Sequence, residues 1–244
     1  MRQSLNTKLS LIIPCYNETN RITHGLTETT NYLRQQPYLS EIIFVDDGST
    51  DETLSNAQKL LKSFSTKKII QLPRNRGKGA AIRAGMLEAS GQFLVFIDID
   101  LSTPLTELPR LLDALRSHKV AIGIRRHPKA RVTVHQPKLR EFLGHIFTKL
   151  VTFLVVPGIY DATCGFKGFQ KNAAKELFSK SRLNAWAFDA EILFLARQKG
   201  YAIAQIPVVW QNNPATKVHI LRDSFQALMD VFSIRLNHLR GVYT

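Results

Sequence analysis

Short apolar runs alternate along this chain with stretches patterned for helices. Leu9–Ile13, Glu41–Val45, Lys67–Leu72, Phe93–Ile97 and Val120–Ile124 read as strands buried on both faces, the third weaker than the rest. Between them the spacing predicts helices: one reaching about Gln36, one opened by Ser49 and Glu52 at capping-box spacing, and an Ala-rich one from Gly79 to about Ser90. A further helix, begun by Thr103-Pro104, carries Leu105, Leu108, Leu111, Leu112 and Leu115 on one stripe. Strands alternating with helices predict right-handed βαβ units and an α/β fold with a mostly parallel sheet. Polar insertions after the first four strands then line one sheet edge, so Asp46, Lys78, Asp98 and Asp100 are expected to meet in one crevice.

The pattern changes after residue 124. Arg125 to Arg140 holds Arg125, Arg126, His127, Lys129, Arg131, His135, Lys138 and Arg140 with no acidic residue, and reads as a basic loop. It is also the expected boundary between two halves of a single domain spanning 1–244, about 8–124 and about 125–244. From Leu139 to Val155 apolar residues recur every three or four positions, a spacing that suits a membrane-surface helix and a core helix equally. Asp161 to Phe169 precedes a short helix, and Trp186 to Glu191 opens a helix that runs to Gly200. Tyr201 to Trp210, interrupted by Pro207, reads as a late edge strand. Leu221, Phe225, Leu228, Phe232, Leu236 and Leu239 mark a second amphipathic helix, again compatible with core packing.

Composition narrows the class. The chain has 244 residues, 44% hydrophobic and 21% charged, as expected of an ordinary globular domain. Its 33 Lys and Arg against 19 Asp and Glu leave a net charge of +14, which favours an anionic partner: nucleic acid, acidic lipid or a phosphorylated small molecule. Cys15 and Cys164 match no metal-ligand spacing, and a reducing cytosolic setting is the simplest. The polar start, Met1 to Lys8, lacks a signal-peptide pattern, and no apolar run of about 18 residues is present. A soluble or surface-bound protein, with any membrane attachment peripheral, is the expectation.

The chemistry centres on Asp98-Ile99-Asp100. Two carboxylates in alternate positions at the end of a parallel strand suit a hard divalent cation that keeps positions for water and phosphate oxygens, although an isolated pair of this kind also ends strands and starts turns. Gly77-Lys78-Gly79 lacks the third glycine of a dinucleotide fingerprint, and no Walker-type lysine motif occurs. Aspartyl-nucleophile phosphatases are similar around two acids, but theirs follow the first strand. A non-catalytic basic protein that carries lipid or nucleic acid explains the charge and leaves the acids unused; no aromatic-interleaved basic strand of a single-strand reader is present.

Four ordered motifs carry a closer resemblance: Pro14-Cys15-Tyr16-Asn17-Glu18 after the first strand, Asp46 to Asp51 after the second, Asn75 to Ala81 at the third connection and Asp98 to Asp100 after the fourth. Together they resemble the family 2 glycosyltransferases of GT-A fold over nearly the whole chain. Asp161 to Phe169 and Trp186 to Glu191 look most like the dolichyl-phosphate β-glucosyltransferase branch, with the mannose synthases next. The resemblance implies a metal-dependent inverting transfer of glucose from UDP-glucose to a polyprenyl (dolichyl-type) phosphate at the cytoplasmic face of a membrane. GDP-mannose as donor and a non-lipid acceptor are the alternatives. It implies that Pro14, Tyr16, Glu18, Asp46 and Lys78 hold the nucleotide, that Asp98 lies near ribose and metal, and that Asp100 ligates Mg²⁺ or Mn²⁺. A lipid phosphate needs cations to position it, and Arg126, Arg131 and Arg140 of the basic loop with Lys217 after the last strand are the candidates. Asp161 and Asp189 are left as base, arginine orienter or sugar-hydroxyl acceptor. Two departures stand out: Ile99 where many relatives have alanine, and Gln211 to Lys217 in place of a tighter glycine-containing turn.

Overall fold

The computed structural model describes residues 7–135, 137–213 and 220–243. Its strands are β1 (Leu9–Cys15), β2 (Ser40–Asp46), β3 (Lys67–Gln71), β4 (Phe93–Ile97), β5 (Val120–Ile124), β6 (Arg131–Val134), β7 (Phe166–Gln170), β8 (Ile203–Pro207) and β9 (Val209–Gln211). The helices are α1 (Thr19–Arg34), α2 (Thr53–Leu61), α3 (Lys78–Glu88), α4 (Leu108–Ala114), α5 (Lys138–Leu154), α6 (Lys171–Lys180), α7 (Phe188–Gln198) and α8 (Ile220–Leu239). Seven strands form one sheet in the order β3-β2-β1-β4-β7-β5-β8, and β6 pairs with β9 in a separate ribbon.

The expected parallel α/β sheet is present. From β1 the chain steps outward through β2 and β3, then returns to lay β4 on the other side of β1, all parallel. That reversal opens a crevice beyond the carboxyl ends of β1 and β4. Alternate residues of β1 feed two separate cores: Ile12 packs with α3, α6 and α7, whereas Leu11 and Ile13 pack with α1, α2 and α4. A sheet covered on both faces explains why β1, β2, β4 and β5 read as continuous apolar runs.

One strand departs from the pattern. Phe166–Gln170 was expected to lead into a short helix, yet it forms β7, wedged antiparallel between β4 and β5 with Phe166 opposite Ile97. Lys167 and Gly168 at its centre hide its strand character. Lys167 is fully buried, and a Cβ at Gly168 would lie 2.8 Å from a Leu115 methyl. Because β7 runs backwards, its amino end, not its carboxyl end, reaches the crevice. The segment Asp161–Gly165 is thereby delivered beside β4.

Other boundaries also differ. The Ser49–Glu52 capping box does not form: Glu52 is the N-cap of α2 without a side-chain bond, and Asp51 accepts from the Thr53 N–H at 2.9 Å instead. Ser49 turns back to accept the Asn17 N–H at 2.9 Å, tying the loops after β1 and β2 together. Thr103-Pro104 opens a 3₁₀ turn, Leu105–Glu107, that runs into α4. The basic stretch is not simply a loop, since Arg131–Val134 is β6. The late strand splits at Val208 into β8, an edge strand with Pro207 beside Ile124, and β9, which joins β6. Both amphipathic helices form. They touch each other, and the Arg235 guanidinium of α8 donates to the Leu154 carbonyl at the end of α5. Among the described residues no helix is long and apolar enough to cross a membrane.

Candidate active site

The first wall of the crevice is built by backbone held on carboxylates. Asp46, fully buried at the end of β2, accepts from the Ser49 N–H at 3.2 Å. Asp47 accepts from the Arg76 and Gly77 N–H groups, each at 2.8 Å, and so fixes the connection that leads into α3. Burial pushes the Asp47 carboxyl above its ordinary value in spite of those two bonds. Across the crevice Glu18 pairs with Arg21, two nitrogens each at 2.6 Å from its oxygens, and Arg21 reaches on to Asp100 at 3.7 Å. The buried Cys15 thiol between them reports the local field. Burial first, then Glu18 and Asp46 with a contribution from Asp98, push it well above its ordinary value, against the pull of Arg21.

Asp98 follows β4 directly, and its Oδ1 lies 2.5 Å from the Lys78 ammonium at the start of α3. Leu101 adopts a left-handed φ of 51°, which folds the chain so that its N–H returns to the Asp98 carbonyl. The same bend lets the Ser102 N–H donate to Asp100 Oδ1 at 3.0 Å. Burial, followed by the Asp98 charge, pushes the Asp100 carboxyl up. Burial alone would lower the Lys78 ammonium, but Asp98 and then Asp189 more than offset it and hold it above its ordinary value. Gly165 lies so close to this pair that a Cβ there would sit 2.0 Å from Asp98 Oδ2. Glycine lets the lead-in to β7 pass with the Asp98 carboxylate left in place.

Beyond β7 the charges are cationic. Asp161, fully buried, receives Arg125 through Nε at 2.7 Å, Nη2 at 3.0 Å and the backbone N–H at 3.1 Å, and Arg126 Nη1 at 3.1 Å. Burial raises the Asp161 carboxyl, but the two guanidiniums overwhelm it and hold it well below the usual carboxylate range. Arg126 also donates to Thr148 Oγ1 on α5 at 2.5 Å. Asp189, in the first turn of α7, lies 2.6 Å from the fully buried Lys167 ammonium, which also donates to the Cys164 carbonyl. Next to Arg125 and Arg126 lies a cavity of about 950 Å³ that also takes in His145, Lys149 and Phe153 of α5 and Trp210 of β9. Its lining is mostly apolar, with Arg125, Arg126, Lys149 and Glu141 as its charged members.

Residues 10–178 match the family described as Glycosyl transferase family 2. The chain belongs to glycosyl transferase family 2. Within this family it is similar to the dolichyl-phosphate beta-glucosyltransferase of Saccharomyces cerevisiae, 35% identical over 96% of this chain and 76% of that protein. The human protein of the same name is 34% identical over 97% of this chain and 77% of its own length. Among solved structures, glucosyl-3-phosphoglycerate synthase from Mycobacterium tuberculosis in complex with Mn²⁺, UDP-glucose and phosphoglyceric acid superposes with a TM-score of 0.69 at 18% identity. That match covers 93% of this chain and 79% of the other. A likeness at that identity is one of fold, and the fold is the GT-A type that the motifs suggested.

For this family 2 chain, Asp46, Lys78, Asp98, Asp100 and Glu18 line the crevice, with Tyr16 half exposed on the loop after β1 and Pro14 partly buried within that strand. The acceptor group scatters more. Arg126 is pinned inward, Arg131 is exposed at the start of β6, Arg140 belongs to α5, and Lys217 lies outside the described residues. Asp161 and Asp189 are each paired with a cation: Asp161 with Arg125 and Arg126, Asp189 with Lys167. Sequence reasoning missed Asp47, Arg21, Lys167 and Trp186 as members of the site and underrated Arg125. Asp47 was legible as the second acid of the doublet, and Arg21 as a partner three residues after Glu18; Arg125, Lys167 and Trp186 lie in stretches the sequence marks out, but their partners are set by long-range packing.

Proposed function

We propose that this chain transfers glucose from UDP-glucose to a polyprenyl phosphate of the dolichyl type, as a peripheral enzyme at the cytoplasmic face of a membrane. The observation that carries the proposal is an acidic crevice next to a mostly apolar cavity lined by Arg125 and Arg126, on a molecule of charge +14. Asp46, Asp98 and Asp100 alone would repel a diphosphate; a divalent cation between carboxylates and phosphates removes the conflict. The residues fit such an ion. Asp98 and Asp100 offer hard oxygens, and the Asp100 carboxyl is raised by desolvation and by the neighbouring Asp98 charge, which a shared cation would offset. Among the described residues no group of three or more His, Cys, Asp or Glu is arranged to hold a metal by itself, so diphosphate oxygens would complete the coordination. Mg²⁺ or Mn²⁺ bound there would supply Lewis-acid stabilisation of the departing UDP.

In this reading Asp46, with Pro14, Tyr16 and Glu18 around the β1 loop, holds the nucleoside, and Lys78 adds a positive charge beside the diphosphate. An oxygen of the acceptor phosphate attacks the anomeric carbon as its bond to UDP breaks, with inversion. A phosphate monoester, with second pKa about 6, is already largely ionised near neutrality and needs no strong base. This agrees with Asp161 serving to orient Arg125 and Arg126 rather than to take a proton. The two halves anticipated, about 8–124 for the donor and about 125–244 for acceptor and membrane, share one sheet through β7.

The test is a titration of the purified protein with UDP-glucose and with GDP-mannose in Mg²⁺, followed by transfer to dolichyl phosphate. We expect metal-dependent preference for the uridine donor and radiolabelled glucose in the lipid phase. Asp100→Asn should lower that transfer by at least about 100-fold, the scale of losing a main electrostatic stabiliser of the transition state. Preference for GDP-mannose would overturn the glucose assignment, and unchanged turnover in Asp100→Asn would overturn the metal role.

A further inference from the structure

Trp186 stands in the open beside Lys78 on a loop that is fastened to its surroundings. Its side chain is 41% exposed, yet the residues that follow, Ala187 and Phe188, are buried at 3% and 2%. The loop before it is fastened on the start of α3: the Asn184 carbonyl accepts from the Gly79 N–H at 2.7 Å, and Arg83 donates to the Leu183 carbonyl and to Asn184 Oδ1. On its other side the Arg182 and Leu183 N–H groups donate to the buried Glu191 at 3.0 Å. The glycines around Lys78 make room for this arrangement. Gly77 has φ of +97° and a Cβ there would lie 2.5 Å from the Asn184 carbonyl oxygen, while a Cβ at Gly79 would lie 2.6 Å from that of Phe188. The loop therefore cannot lift without losing the cap of α3. The Lys78 ammonium, paired with Asp98, lies over the indole 5.5 Å from its ring centroid.

The sheet order gives this position a direction. Asp46 ends β2, Asp98 and Asp100 follow β4, and Asp189, just after Trp186, binds Lys167 of β7. A nucleotide sugar with its base near β2 and its diphosphate at β4 projects its sugar toward β7. We infer that Trp186 is the platform for the donor sugar, its indole packing against the hexose C–H face and setting the sugar's orientation for attack. This inference rests on the UDP-glucose reading above. A hexose presents an apolar face of axial hydrogens, and a rigid indole with a polar edge suits it at little entropic cost. The role is one of positioning: UDP alone carries nothing for the ring to touch.

The chain has two tryptophans, which makes the test spectroscopic as well as kinetic. In a Trp210→Phe background, with Mg²⁺ and no acceptor, the remaining Trp186 emission should shift on titration with UDP-glucose and change far less with UDP. Trp186→Ala should weaken UDP-glucose binding roughly 5- to 10-fold, the scale of an aromatic contact, while UDP binding measured by calorimetry stays within about twofold. Trp186→Phe should recover most of the loss. If Trp186 only shields Lys78, both ligands weaken together in Trp186→Ala, and the inference is overturned. Equal emission changes with UDP and UDP-glucose would also overturn it. If neither ligand binds the wild-type protein, the UDP-glucose reading itself fails, an outcome separate from these.

Discussion

Asp161 shows how one buried carboxylate governs two arginines. It is fully buried beneath Arg125 and Arg126, so removing its charge leaves two guanidiniums without a counterion in a desolvated place. Asp161→Asn should cost about 3 kcal/mol, within the range for breaking a buried pair, and lower the melting temperature by roughly 6–12 °C for a chain of this size. The pH dependence has a definite sign. The arginines depress the folded carboxyl below its unfolded value of about 3.9, so its stabilisation is complete above that value and is lost only as pH falls through the folded one. The gap in melting temperature between wild type and Asp161→Asn should therefore be flat from about pH 5 to pH 8 and narrow only in stronger acid. A gap that closes near neutrality would show that the carboxyl is not held down by the arginines.

Strand β7 is the element on which the site turns. Its antiparallel course brings Gly165 against Asp98, and its Lys167 reaches Asp189 to anchor α7, whose lead-in carries Trp186. Two predictions belong here. Gly165→Ala, measured by UDP-glucose titration in Mg²⁺, should lose at least about tenfold in affinity, because the added methyl must displace the Asp98 carboxylate. The fold should survive, since the carboxylate has space to move: the Asp98 side chain is 35% exposed. Lys167→Met alone should destabilise by about 3–5 kcal/mol by leaving Asp189 buried without its partner, whereas Lys167→Met with Asp189→Leu should recover most of that in denaturant unfolding. A double variant as unstable as the sum of the singles would mean the two side chains act independently.

Across the whole molecule, positive charge and exposed apolar surface meet on α5 and α8. Phe142, Ile146 and Phe153 on the first, and Phe232, Leu236 and Leu239 on the second, are exposed, Phe153 and Leu239 to 80% and 82%. Scattered exposed apolar side chains are ordinary, but two touching helices that both carry them suit an anionic bilayer. Phe153→Ser combined with Leu239→Ser should reduce cosedimentation with phosphatidylserine vesicles by at least tenfold, since each side chain contributes about 1.5–3 kcal/mol when buried. Raising salt should weaken binding as well, because basic residues near such a surface contribute about 1 kcal/mol each. Equal sedimentation of variant and wild type would remove these helices from the membrane contact.

What the sequence determined by itself was the sheet of β1 to β5, the order of the loops along its carboxyl edge and hence the meeting of Asp46, Lys78, Asp98 and Asp100. Those features follow from local periodicity and from the fixed hand of βαβ units, both readable within one turn or one strand. The family resemblance was likewise carried by short motifs at the ends of those strands. Only the tertiary structure decided that Phe166–Gln170 is a strand running backwards, that Arg125 and Arg126 face inward on Asp161, and that Trp186 stands beside Lys78. In each case the deciding partner is distant in sequence: a buried lysine waits on Asp189 of α7, and an arginine pair on a carboxylate some 36 positions away. Burying a charge is costly until its partner arrives, so a residue that looks like surface in the chain becomes core only when the fold closes around the pair.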